Sequence, residues 1–175
     1  MNPMPKEVNK MSEELYSHVI SILVENKAGV IQRVTGLFTR RGFNIESIAV
    51  GESEVEGLAR MVFVVKGDQK ILEQVIKQTN KLVDVVKVKD LDPENSVKRE
   101  LCLVKVKTED DKSRSEIMQY VDIFRAKIVD VCDNSLTVEI TGSPEKIDPF
   151  IRLLKPFGIK RIARTGMTAV PRGRG

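Results

Sequence analysis

The order of apolar periods repeats once along the chain, and this repetition limits the possible folds more than any other feature. Periods typical of strands and helices follow as βαββαβ over residues 19–88, and the same order returns over residues 101–163. That order is typical of a ferredoxin-like unit, in which a four-stranded antiparallel sheet carries two helices on one face. The sequence therefore predicts an α+β fold of two tandem ferredoxin-like βαββαβ units.

Local signals support the elements of the first unit. The apolar run over residues 19–24 is interrupted only by Ser21, which suits a central strand. Gly42 stands just past the first helix, where glycine can adopt the left-handed conformation, and Asp68 is placed to cap the second helix. In this topology the second strand is an edge strand, and the sheet face without helices must be covered or partly polar.

Composition shifts divide the chain into five segments. The polar, proline-containing stretch over residues 91–100 is the best candidate for a linker between the units. The predicted segments are a polar N-terminal tail (1–16), a first ferredoxin-like domain (17–90), the linker (91–100), a C-terminal ferredoxin-like domain (101–170) and a basic tail (171–175).

The composition argues for a soluble, cytoplasmic protein. Charged residues make up 31% of the 175 residues, and no apolar run approaches the roughly 20 residues that span a bilayer. The first residues lack the apolar core of a signal peptide. Cys102 and Cys132 would lie on strands that are not neighbours, so we expect two free, buried thiols and no disulfide.

Motifs for catalysis and metal binding are missing. His18 is the sole histidine, and no second histidine or paired cysteine accompanies it, so a zinc site is not expected. No glycine-rich phosphate loop or nucleophile elbow occurs. The sequence predicts no catalytic residue, no metal site and no cofactor in this chain. An unrecognised enzyme is therefore a disfavoured alternative.

A basic C-terminal stretch raises the alternative of nucleic-acid binding. Residues 160–175 hold five lysines and arginines and no acid. The stretch has no aromatic residue for base stacking. An RNA-binding sheet of this topology would display aromatic residues on its central strands, where the third strand offers only Phe63. We therefore expect no nucleic-acid partner.

The loop before the first helix offers the most distinctive chemistry. The opening turn of a helix leaves backbone N–H groups unpaired, and the positive end of the helix dipole attracts a carboxylate. Gly29 lets a ligand approach the backbone closely, while Asn26 and Asn44 supply side-chain amides. Val30 and Ile45 would supply apolar walls. With these groups near one another, the sequence predicts a site for a small zwitterion such as a branched-chain amino acid.

A purely structural interpretation competes with this site. Asn and Gly before a helix commonly serve as cap and turn, and Asn44 is explicable as a polar residue at the start of a strand. The second half offers a contrast, because its corresponding loop, KTEDDKSRSE, is acidic and lacks glycine. Aligning the apolar positions of the halves places Lys127 where Asn44 stands.

Several stretches resemble one known family. Five stretches carry the resemblance: ENKAGVIQRVTGLFTRRGFNIESIAV, LVDVVKVKDL, VKRELCLVKV, IFRAKIVDV and the C-terminal TGSPEKIDPFIRLLKPFGIKRIARTGMTAVPRG. They are similar to the small, regulatory subunit of acetolactate synthase, whose N-terminal part is an ACT domain. The resemblance covers about residues 17–173. It implies a regulatory subunit that activates a catalytic large subunit and confers feedback inhibition by a branched-chain amino acid, usually valine.

The resemblance also implies partners and site residues. The catalytic subunit would hold thiamine diphosphate, Mg²⁺ and FAD. ACT domains pair, so we expect a homodimer with the effector at the interface. The family's effector positions correspond to Asn26, Gly29 and Asn44, with contacts expected from Ala28, Val30 and Ile45.

Edge-to-edge pairing would complete this site. Two copies joined through their second strands would hide an exposed edge and bring the loop of one chain towards Asn44 of the other. The alternative is a free-standing amino-acid sensor with tandem ACT-like domains and no synthase partner.

Overall fold

The computed structural model describes residues 16–173, and its elements follow the predicted order. The predicted polar tail lies outside these residues apart from Tyr16, which begins β1. The first unit contains β1 (Tyr16–Glu25), α1 (Val30–Arg40), β2 (Asn44–Glu52), β3 (Leu58–Gly67), α2 (Gln69–Thr79) and β4 (Val85–Leu91). The second unit contains β5 (Ser96–Lys107), α3 (Asp111–Ile123), β6 (Lys127–Cys132), β7 (Ser135–Gly142), α4 (Pro144–Leu154), a 3-10 turn (Lys155–Phe157) and β8 (Ile159–Arg164). A short β9 (Thr168–Pro171) follows.

Both sheets have the strand order of a ferredoxin-like unit. The first is ordered β2-β3-β1-β4 and the second β6-β7-β5-β8, with all pairs antiparallel. The predicted α+β fold of two βαββαβ units is confirmed. β1 is central, as its apolar run predicts, and β2 pairs only with β3 among the described strands.

Caps and turns set the ends of the helices where the sequence predicts them. The Asp68 carboxylate accepts a hydrogen bond from the backbone N–H of Ile71 at 2.8 Å and caps α2. Gly42 follows α1 with φ 69°, a conformation that strains residues with a β-carbon. Pro144 opens α4, where its missing N–H costs no hydrogen bond.

Each unit has its own core between its sheet and its helices. In the first, Phe38 of α1 stacks on Phe63 of β3 with ring centroids 4.6 Å apart. In the second, Phe150 of α4 packs with the buried face of β5. Cys102 lies in that core, but Cys132 is exposed on the edge strand β6. The prediction of two buried cysteines is therefore wrong for Cys132, whereas both thiols are free as expected.

The helix-free face of the first sheet is covered from the far end of the chain. Met167 and Ala169 pack there in a separate apolar cluster with Val19, Val62, Val64 and Leu91. Residues of β1 thus alternate between two buried environments. This explains why β1 reads as a nearly continuous apolar run rather than as a strict alternation.

The structure corrects two predicted boundaries. Leu91 belongs to β4 and Ser96 already begins β5, so only residues 92–95 connect the units as a turn. The predicted basic tail begins within β9, which pairs with the first part of β5. The polar composition of residues 91–100 suggested a linker, but Lys98 and Arg99 are strand residues. Their pairing partner, β9, lies about 70 residues away in sequence.

We expect Ala169→Asp to destabilise the chain strongly. Ala169 is 2% exposed, and an unpaired carboxylate there would lower the free energy of unfolding by about 3 kcal/mol or more. Urea unfolding of the two variants followed by circular dichroism measures the effect. Thr168→Asp is the matched control, because Thr168 is exposed on the same strand. Equal loss in both variants would contradict the packing of β9 on the first sheet.

Candidate effector site

The loop between β1 and α1 is exposed and held by its backbone. The Asn26 N–H donates to the carbonyl of Gly57 at 2.8 Å, which leaves the Asn26 side chain facing outward. Ala28 and Gly29 are also exposed. Gly29 is the N-cap of α1 with φ 82°, so the chain enters the helix through a left-handed residue that favours glycine.

The start of α1 carries no side-chain cap. Among the described residues, no side chain accepts a hydrogen bond from the first turn of α1, and this turn contains no acid. The corresponding start of α3 is closed by its own carboxylate. Asp110 accepts from the Ser113 N–H at 2.7 Å, and this bond lowers the pKa of the Asp110 carboxyl. The Val30 N–H of α1 donates to the carbonyl of Lys27 at 3.3 Å, but no side chain of the described residues caps this start, whereas Asp110 caps α3.

An ion pair places a guanidinium above Gly29. Arg33 donates from Nε and Nη2 to the two carboxylate oxygens of Asp84 at 2.6 and 2.9 Å. Asp84 is largely buried, and its hydrogen bond raises the pKa of the Arg33 guanidinium. A β-carbon at Gly29 would lie 3.3 Å from the third nitrogen, Nη1. The pair therefore aims an oriented positive group at the exposed backbone of the loop.

Sequence analysis missed Arg33, although a signal for it was present. Arg33 follows Gly29 by four residues, a spacing that puts it one helical turn above the loop. Only the fold brings Asp84, 51 residues further along the chain, to the other side of the guanidinium.

Asn44 lies at the opposite end of the first sheet from this loop. It pairs with Lys66 of β3, whereas Glu25 pairs with Leu58. Eight residues of β3 separate these positions, which corresponds to roughly 25 Å along a strand. The prediction that the two asparagines lie near one another is therefore wrong within a single chain. Both β1 and β2 run antiparallel to β3, so the end of β1 and the start of β2 lie at opposite ends of the sheet.

The expected apolar walls differ in availability. Val30 is 1% exposed and packs in the helix-side core, so it supports the loop from beneath and offers almost no surface to a ligand. Ile45 is half-buried beside Asn44. Ile31, which the sequence analysis did not select for the site, is 52% exposed on the first turn of α1. Its side chain is the apolar surface that the loop presents.

Two side chains that were considered for metal or nucleic-acid binding, His18 and Phe63, have structural roles. His18 contacts the carbonyl oxygen of Gly67 through Nε2 at 3.2 Å. Phe63 is fully buried against Phe38, so it is not available to stack on a base. Within residues 16–173 no group of three or more His, Cys, Asp or Glu is placed to hold a metal. No helix in this range is long and apolar enough to cross a membrane.

Two tandem ferredoxin-like units, with an uncapped glycine start in the first, are the architecture of a protein of the ACT type. A family model described as the AHAS small subunit-like ACT domain matches residues 20–87. A second family model, described as the small subunit of acetolactate synthase, matches residues 99–173.

Similar proteins carry the same description over nearly their whole length. The probable acetolactate synthase small subunit of Methanothermobacter thermautotrophicus is 62% identical over 157 residues, which are 90% of this chain and 94% of that protein. The small subunit of Aquifex aeolicus is 42% identical and covers 98% of this chain and 88% of its own. The crystal structure of the Thermotoga maritima small subunit superposes with a TM-score of 0.86 at 51% identity, over 91% of this chain and 99% of that one.

The chain belongs to the family of acetolactate synthase small subunits. Members of this family are regulatory rather than catalytic subunits, which confirms the resemblance stated from the sequence and the prediction that the chain is not itself an enzyme.

We expect Gly29→Ala to destabilise the start of α1. An alanine at φ 82° costs about 1 kcal/mol in backbone strain, and its β-carbon would also crowd Arg33. Gly36→Ala, in the middle of α1, is the control. Its β-carbon would meet Nη1 of the exposed Arg40 side chain at the same 3.3 Å, but its backbone is helical, so alanine should be stabilising by about 0.5–1 kcal/mol. Thermal unfolding of both variants measures the difference. A gain in stability from Gly29→Ala would contradict the left-handed cap.

Proposed function

We propose that the chain regulates a catalytic acetolactate synthase subunit by binding a branched-chain amino acid, with valine favoured, at a seam between two copies of its first unit. The observation that carries the proposal is the uncapped Gly29 helix start beneath the Asp84-bound Arg33. An exposed cation beside open helix donors suits a carboxylate. No acid among residues 16–173 caps this start, in contrast to Asp110 in the second unit.

The topology of the first sheet supports a seam formed by β2. Its outer edge has no partner strand among the described residues, and β2 is nine residues long with Ile48 at its centre. Antiparallel pairing of two such edges about Ile48 would set Asn44 opposite Glu52 of the second copy. Glu52 pairs with Ala59, close to Gly57, which holds Asn26. Within one copy Asn26 and Asn44 lie at opposite ends of the sheet. In the paired sheet, Asn26 of one copy and Asn44 of the other would lie at the same end.

Each part of a branched-chain amino acid has a chemical counterpart there. The carboxylate would meet the α1 N–H groups and Nη1 of Arg33. The ammonium group would donate to the side-chain oxygens of Asn26 and Asn44. The aliphatic side chain would contact Ile31 of one copy and Ile45 of the other, with the small Ala28 leaving room beside them. Two-fold symmetry would create one such site per chain.

Regulation requires the amino acid to bind one arrangement of the dimer better than another. A coupling of about 1–3 kcal/mol would change the balance 5–150-fold, which is enough for feedback control. We propose that the small subunit activates the large subunit when no effector is bound. Thiamine diphosphate, Mg²⁺ and FAD would belong to that large subunit.

We expect Asn44→Ala and Gly29→Asp each to abolish inhibition by valine while activation is retained. The first change removes an acceptor for the ammonium group, and the second sets a negative charge against the ligand carboxylate. Each variant is reconstituted with the catalytic subunit, and activity is titrated against valine. Inhibition equal to that of the wild type would exclude these residues from the effector site.

Mixing the two variants tests whether the site is shared between chains. In a mixed dimer one seam site combines both defects, while the other combines the intact loop of the Asn44→Ala chain with the intact Asn44 of the Gly29→Asp chain. Co-refolded variants should therefore recover valine binding in the mixed dimers, at one site per dimer, as measured by calorimetry. No recovery in verified mixed dimers would contradict a site built from two chains.

The alternative of a free-standing sensor makes a different prediction. Affinity capture of the tagged chain from its native extract should co-purify a large thiamine-dependent subunit if the proposal is right. Valine binding without any such subunit would favour the sensor.

A further inference from the structure

A segment from the end of the second unit connects it to β2 of the first. This segment, residues 165–171, is called the strap. Its Thr165 exchanges two hydrogen bonds with Leu101, at 2.9 and 3.0 Å. Its β9 part pairs with residues 96–99 of β5, and the Arg172 N–H donates to Asn95 at 2.7 Å just beyond it. The strap is therefore hydrogen-bonded to the second unit on both sides of Gly166 and Met167.

The other side of the strap touches the first unit at the middle of β2. A β-carbon at Gly166 would overlap the carbonyl group of Ile48 and lie 2.9 Å from the Ala49 nitrogen. Only glycine permits this approach, because the obstructing atoms are backbone. The next residue, Met167, donates its N–H towards Ser47 Oγ at 3.4 Å and buries its side chain on the helix-free face of the sheet.

Space around this contact leaves the strap room to shift. Two clefts, of about 700 Å³ and about 440 Å³, border it. Both are lined by Ile48, Thr165 and Gly166. The strap meets the sheet on its helix-free face, so a displacement of β2 would reach the strap without passing through either helix-side core.

We propose that Gly166 is the positioning residue through which a change at the β2 seam reaches the second unit. This inference rests on the proposed function, because it needs an effector that alters the β2 seam. Ile48, at the centre of the proposed seam, is the residue whose backbone Gly166 touches. The strap would carry its movement to the start of β5, to which it is hydrogen-bonded. The coupling thus runs through a continuous series of backbone contacts from β2 through the strap to β5.

The test separates effector binding from its transmission. Valine is titrated into the full-length wild type and Gly166→Ala by calorimetry, and amide hydrogen exchange of residues 96–99 is measured with and without valine. We expect the wild type to bind valine and to change its exchange there. In the variant we expect the strap to give way, because it borders the clefts, rather than β2, which is paired with β3. The variant should therefore bind within about threefold of the wild-type Kd, show no such change, and require at least about tenfold more valine to inhibit the reconstituted synthase.

Two further variants keep the test decisive. Thr168→Ala removes an exposed side chain from the strap and should behave as the wild type. Ser47→Ala removes the partner of the Met167 N–H without steric conflict. It should therefore also reduce the valine-dependent change in amide exchange at residues 96–99, and it tests the proposal even if Gly166→Ala fails to fold.

The outcomes distinguish the two ideas. A wild type that binds no valine would overturn the proposed function. A wild type that binds valine without altered exchange at residues 96–99, or Gly166→Ala and Ser47→Ala with the wild-type response, would overturn the role of the strap alone.

Discussion

Burial of both faces of the first sheet is the constraint on which the rest of the structure depends. Two helices cover one face, and Met167 and Ala169, about 100 residues beyond β3, complete the other. A unit of this size buries little apolar surface by itself, so the second cover matters for its stability. The units are consequently joined twice, once by the turn at residues 92–95 and once by the strap.

The two units show how one fold can carry different chemistry. Each opens its first helix after a central strand, yet Gly29 provides no side-chain cap for α1 whereas the Asp110 carboxylate caps α3. Lys127 begins β6 as Asn44 begins β2, so the amide is also replaced by a cation. These differences give the first unit alone both a helix start without a side-chain cap and an exposed asparagine at the start of its second strand. The second unit lacks both features, and it holds the strap that packs on the first sheet.

The accuracy of the sequence analysis depended on how local each feature is. The helix caps at Asp68 and Pro144 and the left-handed Gly42 were predictable because each arises within a few residues. The pairing of β9 with β5 was missed because its partners lie far apart and look polar. In the candidate site, Gly29 and Asn26 were predicted, whereas Arg33 acquires its orientation from the distant Asp84. Val30 was assigned to a wall but faces the core.

Sequence alone determined the order of elements, the two-unit plan, the family and the unusual chemistry of one loop, because periodicity and turn residues act over short stretches of chain. Tertiary structure decided what lies beside that loop and what does not. Strand direction places Asn44 at the far end of the sheet, so a complete site would need a second copy. Chain crossing brings Gly166 against Ile48, a contact set by backbone approach between distant segments, which no local pattern encodes.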